Sequence, residues 1–120
     1  MVTTGRDAVT GFLEDLRKVL KANGKFYLVP REKNRDTLLQ MGLTVKNCKH
    51  EVMNLRVEDY CSGPEPDADP KFQGLIWTFG KEICHRKVYI KIKVTKSATQ
   101  QAVTCISFHE AEYPLRNVYR

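Results

Sequence analysis

The stretch Arg86-Lys87-Val88-Tyr89-Ile90-Lys91-Ile92-Lys93-Val94-Thr95 decides the fold. Its apolar residues fall on every second position, Val88, Ile90, Ile92 and Val94, and the intervening positions hold Lys87, Tyr89, Lys91 and Lys93. A period of two belongs to a strand with one face on a core and the other toward solvent. Such half-buried strands are characteristic of antiparallel sheets. The flanking segments complete a meander. Phe72 to Phe79 alternates as a preceding strand, Gly80 to His85 reads as a turn region, and Lys96 to Gln101 as a polar connection. Ala102 to Phe108 reads as a last strand with His109 at its end.

The N-terminal half has a different period. Val9, Phe12, Leu13, Leu16, Val19 and Leu20 recur at three- and four-residue steps and predict an amphipathic helix over residues 6 to 23, closed by Asn23-Gly24. Lys25 to Val29 is rich in strand formers and ends at Pro30, as a short edge strand would. Asn34 is a candidate cap for a second helix ending at Met41-Gly42. Thr44 caps a third helix running from Val45 to about Leu55, with Val45, Cys48, Val52 and Leu55 as its apolar stripe. Between the halves, Glu58 to Pro70 carries five acids, no Lys or Arg, and several prolines, and reads as a solvated acidic loop. Helices first and strands afterwards predict an α+β fold, N-terminal helices packed on a small antiparallel β-sheet.

A chain of 120 residues is the length of one domain, so residues 1 to 120 are expected to form a single domain. No apolar run approaches the roughly 18 residues of a spanning helix, so no membrane partner is expected. The N-terminus lacks the order of a signal peptide, which makes the cytoplasm the expected compartment. The cysteines Cys48, Cys61, Cys84 and Cys105 are widely spaced, with no C-x-x-C pair, and the acidic segment lacks the EF-hand pattern. They are expected to be free thiols, and no metal or cofactor is expected.

Twenty Lys and Arg against fourteen Asp and Glu leave a net charge of +6, which favours a polyanionic partner. The excess is local. Residues 81 to 96 hold six bases (Lys81, Arg86, Lys87, Lys91, Lys93, Lys96) against Glu82. Lysines around a strand tyrosine suit RNA, because ammonium groups neutralise phosphates and an aromatic ring stacks on an unpaired base. His109 adds a group that titrates near neutrality. If the last two strands pair, Val103, Cys105, Ser107 and His109 share one face, and strand register decides whether it is the Lys-Tyr face. There, a base and an acid next to fixed cations suffice to cleave RNA through its own 2′-hydroxyl.

Several short segments together resemble the MqsR family of bacterial toxins: Glu58-Asp59-Tyr60, Gly63-Pro64-Glu65, Ile76-Trp77, Phe79 to Ile83, Val88 to Val94 and Ser107 to Pro114. The resemblance spans about residues 8 to 116. It implies a RelE-like fold and a type II toxin–antitoxin toxin, a metal-independent endoribonuclease that cleaves mRNA. It also implies a cognate antitoxin, often one with a zinc-binding domain and a helix-turn-helix domain. Carried over by position, the family's strand tyrosine is Tyr89 and its following lysine Lys91. Three further family positions hold different residues here. His109 stands where the best-known member has lysine, Cys61 stands for a lysine, and Thr78 for a glutamine. The expected site is therefore catalytic His109, Tyr89 and Lys91, with Lys81, Lys93, Arg86 and Lys87 on RNA phosphate, Lys81 substituting for the cation missing at Cys61. The alternative is a non-enzymatic RNA- or protein-binding module, of phage or mobile-element origin, acting on a host or defence factor. The course of the tail Tyr113 to Arg120 is open.

Overall fold

The computed structural model describes residues 4–69, 71 and 73–120. Three helices precede most of a five-stranded sheet: α1 (Arg6–Lys21), β1 (Lys25–Leu28), α2 (Glu32–Met41), α3 (Val45–Met53), a 3-10 turn (Val57–Asp59), β2 (Tyr60–Pro66), β3 (Leu75–Ile83), β4 (Arg86–Lys96) and β5 (Gln101–Glu110). The sheet order is β1-β5-β4-β3-β2. The fold is α+β, as the order of periodicities predicts. The sheet is antiparallel except at β1, which lies parallel to β5 at one edge.

Helix α1 supplies the layer that covers the inner face of the sheet. Its stripe Val9, Leu13, Leu16, Val19 and Leu20 is buried, and Phe12 stacks on Trp77 with ring centroids 4.4 Å apart. Opposite it lie Phe79, Val88, Ile90, Ile92, Val103, Cys105 and Phe108, all buried. Each fully buried side chain of this size contributes about 1.5–3 kcal/mol of transfer free energy. Helix α3 begins at the Thr44 capping box with Asn47 and adds Cys48 and Val52 to the core, with Leu55 just beyond its end; Val45, expected in that stripe, is exposed.

Four expectations need correction. The acidic segment is not a free loop: after the 3-10 turn it forms β2, pairing with β3 through irregular register. It holds the sheet's outer edge, where prolines are tolerated because their missing N–H faces away from the ladder. Strand β3 lies further along the chain than expected. It starts at Leu75 and runs through Gly80 to Ile83, and the turn contracts to Cys84-His85, whose φ values of 51° and 65° suit a two-residue hairpin. Phe72, the expected start, lies outside the described residues. Helix α2 begins after Arg31, whose side chain makes no capping hydrogen bond, and Asn34, the expected cap, lies inside its first turn.

The fourth correction concerns β5. Val103 and Cys105 do not share a face with Ser107 and His109. Lys91 pairs with Ser107 but Ile92 pairs with Cys105, so Ile106 is an extra residue, a β-bulge. The bulge reverses the alternation. Val103, Cys105 and Phe108 face the core, while Ser107 and His109 pair with Lys91 and Tyr89 on the outer face.

Asn34 explains how the bulge is held. Strand β1 stops at Leu28, opposite Cys105, and leaves the rest of the β5 edge without a strand partner. The Asn34 side chain, 0% exposed, takes over. Its amide donates to Ile106 O (3.0 Å) and Val29 O (2.9 Å), and its carbonyl accepts from Phe108 N (2.9 Å). One turn later, Thr37 Oγ1 accepts from Glu110 N. An interior asparagine with three backbone partners, one buried and two part-buried, outweighs the local preference of its type for a cap. Replacing Asn34 by the near-isosteric Leu strands three backbone groups, each costing about 1–3 kcal/mol when buried. Chemical denaturation of Asn34→Leu is expected to show a loss of about 3 kcal/mol or more; a loss below about 1 kcal/mol would show that water or a shifted β1 replaces the amide.

Candidate functional site

Among the described residues, no helix lies over the outer face of the sheet. Its floor consists of side chains brought opposite one another by register: Ser107, Lys91, Thr78 and Ser62 form one cross-strand row, and His109, Tyr89 and Gly80 the next. The residues after β5 turn back across this face and wall it. Ala111 N donates to Lys87 O, and Leu115 lies on Gly80, where an added Cβ would come within 2.7 Å of its side chain. Beyond it, Asn117 Nδ2 donates to Asp59 O (3.0 Å) and Gly80 O (2.9 Å), and Val118 N donates to Tyr60 O. Arg120 pairs with Asp59. The result is a groove of about 490 Å³, within the roughly 300–1,000 Å³ range of small-ligand sites.

The groove brings together the three residues expected to be catalytic. The rings of His109 and Tyr89 have centroids 5.4 Å apart, and Lys91 Nζ is 5.8 Å from the Tyr89 ring centroid. His109 is 9% exposed and lines the groove. Its Nδ1 lies 3.0 Å from Glu110 O. A carbonyl oxygen only accepts, so in the neutral ring Nδ1 carries the proton and Nε2 keeps its lone pair. Glu112, on the groove wall, is held below the usual carboxylate range chiefly by its hydrogen bond and ion pair with Lys33, with His109 adding a smaller pull.

The four expected phosphate cations fare differently. Lys81 pairs in register with Val88, and so belongs to the inner face, where it ion-pairs with Glu51 of α3 at 3.0 Å. Arg86, paired with Ile83, also lies on that face and meets Glu110. Lys93 is on the outer face but buried, 3.2 Å from Asp67 of the β2–β3 connection. The Asp67 carboxyl sits below its usual range, held first by the Asp69 N–H and then by Lys93. Lys87 is on the outer face beyond Tyr89, exposed, with Glu82 at 3.9 Å. In place of Lys81, two arginines line the groove. Arg116 comes from the tail, and Arg31 from the start of α2, its Nη1 donating to Ser107 Oγ at 3.2 Å. Nothing in the local pattern around Arg31 marks it. Its position depends on Asn34, three residues later, gripping the same stretch of β5.

Cys61 and Thr78 also line the groove, Thr78 at 3% exposure. Among the described residues, no group of three or more His, Cys, Asp or Glu is arranged to hold a metal. No protein-family model matches the chain, and comparison with curated proteins and with solved structures finds none that matches.

The thiols report on this architecture. Cys84 is exposed at the hairpin, Cys61 is half-buried, and Cys48 and Cys105 are buried. Burial pushes the Cys61 thiol up, partly offset by the Arg116 backbone N–H and the Arg120 charge, and pushes Cys105 up well above the usual range. The thiolate is the reactive form. Alkylation of the folded protein at pH 8 is therefore expected to modify Cys84 first and Cys61 at least about tenfold more slowly, with Cys48 and Cys105 silent until unfolding. Fast labelling of Cys61 would mean that the tail does not cover the groove.

Proposed function

We propose that the protein is a metal-independent endoribonuclease that cleaves single-stranded mRNA, acting as the toxin of a type II toxin–antitoxin pair. One observation carries the reading. The five positions that correspond to functional residues of MqsR-type toxins, namely Cys61, Thr78, Tyr89, Lys91 and His109, are scattered over the four strands β2 to β5, and all five line one groove. Lys91, Arg31 and Arg116 outnumber the one carboxylate of the lining, Glu112, so the groove carries a net positive charge that suits a phosphodiester.

The chemistry follows from the side chains. Neutral His109 takes the proton of the ribose 2′-hydroxyl at Nε2, and the 2′-oxygen attacks the adjacent phosphorus. The negative charge that grows on the non-bridging oxygens is met by Lys91, half-buried in the groove, and by Arg31 and Arg116, which line it from exposed positions. The bond to the 5′-oxygen breaks as Tyr89 gives that oxygen its phenolic proton. The products are a 2′,3′-cyclic phosphate and a 5′-hydroxyl. The imidazolium then returns its proton to the phenolate through solvent. A lysine at the family's equivalent of His109 is a cation, whereas His109 brings a base, which compensates for the loss of a cation at Cys61 and of an amide at Thr78. This reading assigns the protein to the cytoplasm, where its mRNA substrate lies. It also assigns a cognate antitoxin that blocks the groove when bound.

Purified protein is expected to cut single-stranded RNA in EDTA, leaving cyclic phosphate ends, and to spare a strand with 2′-deoxyribose at the cleaved position. His109→Ala is expected to lower kcat about 10²–10⁴-fold, the usual contribution of a general base. Tyr89→Phe is expected to lower it by a smaller factor. Intact RNA at high protein concentration, together with unimpaired growth on expression, would contradict the reading. RNA bound tightly but never cut would favour the binding-module alternative, which the uncharged Cys61 and Thr78 would suit.

A further inference from the structure

The tail does more than close the groove. On its far side lies a second cavity of about 430 Å³, and the two share a wall: residues 111 to 115 line both. Lys87 lines the second cavity and not the first. It sits on the same sheet face as Tyr89 and Lys91, four residues from Lys91 along β4, a distance of about 13 Å at strand rise. The wall carries Tyr113, 81% exposed. An aromatic ring that open to solvent has nothing to gain for the fold. Yet its backbone is held on both sides, by Ala111 N to Lys87 O at 2.8 Å, by the Lys33–Glu112 pair and by the Asn117 amide at Asp59 O and Gly80 O. A fixed backbone presenting a bare aromatic ring is a stacking platform whose ordering entropy has largely been lost already.

We infer that residues 111–115 partition the outer face into two nucleotide subsites, with Tyr113 stacking a base of the bound single strand and Lys87 meeting its phosphate in the second cavity. This rests on the RNA reading above and extends it. The first subsite, at His109, Tyr89 and Lys91, holds the cleaved phosphodiester. The second holds the neighbouring nucleotide, so that substrates longer than a dinucleotide bind better than a dinucleotide.

The test uses the whole protein and a ten-nucleotide RNA, 2′-O-methylated throughout so that it cannot be cut, with 2-aminopurine among its bases. Binding to wild type is expected to quench the 2-aminopurine fluorescence. Tyr113→Leu should weaken binding about tenfold and abolish part of that quench, Tyr113→Phe should restore both, and thermal unfolding should not change. Lys87→Gln should reduce the slope of log affinity against log salt by about 0.7, one phosphate contact on a single strand. With cleavable RNA, Tyr113→Leu should raise KM about tenfold and leave kcat within about twofold.

Unchanged affinity, quench and KM in Tyr113→Leu would overturn the inference, and would do so even if the wild-type protein cuts RNA. Conversely, RNA binding that depends on Tyr113 and Lys87 in a protein that never cuts would support the subsite and overturn the cleavage reading. Wild-type protein that fails to bind the strand at low salt would overturn both, and would leave the exposed Tyr113 as a contact for a protein partner.

Discussion

The structure depends on one side-chain amide. Asn34 stands where β1 has ended and gives the β5 edge the donor and acceptor that a strand would have supplied. Two consequences follow from this single substitution of side chain for strand. The bulge at Ile106 keeps its backbone partners, so the alternation of β5 can reverse without leaving buried polar groups unsatisfied. The start of α2 is brought to the rim of the outer face, where Arg31 meets Ser107. The inner half of β5 thus remains part of the core through Val103, Cys105 and Phe108, and Ser107 and His109 become available for chemistry.

The outer face is unusual for a solvated sheet surface because part of its polar floor is shielded from water, while Tyr89 and Lys91 remain half-buried and Ser62 exposed. Thr78 is 3% and Ser107 2% exposed, although neither lies in the apolar core. The cover is the chain's own tail, seated by Leu115 on Gly80 and by the Asn117 amide. Glycine at position 80 is what allows the approach, since a side chain there would occupy the space of Leu115. Beside the shielded Thr78 and Ser107, the charge of half-buried Lys91 acts on a bound phosphodiester more strongly than it would in open water.

Much of the fold was legible in the sequence, because it rests on periodicity. The period-two run Arg86 to Thr95 and the stripe Val9 to Leu20 each describe an element that buries one face, and both faces are the ones expected. The Thr44 cap was legible for the same local reason. The failures are places where distant residues outvote local preference. Asn34 reads as a cap by type but is satisfied by Val29, Ile106 and Phe108. The proline-rich segment Tyr60–Pro66 reads as a loop but is recruited to the sheet edge by β3. The bulge has no signature in Ala102 to Phe108, so the face of His109 was open. Charge was the least reliable guide: of the six bases from Lys81 to Lys96 only Lys91 lines the groove, inner-face ion pairs occupy Lys81 and Arg86, and the groove's other cations are Arg31 and Arg116, far apart in sequence.

The bulge decides the face to which His109 is sent, and an isotope-edited NOE spectrum of the wild-type protein reads this directly. The expected result is a set of cross-peaks between the His109 and Tyr89 ring protons, together with cross-peaks from the Asn34 side-chain amide to the Phe108 backbone N–H. Cross-peaks from the His109 ring to Val88, Ile90 or the α1 stripe, with no contact to Tyr89, would place the imidazole in the core and contradict it.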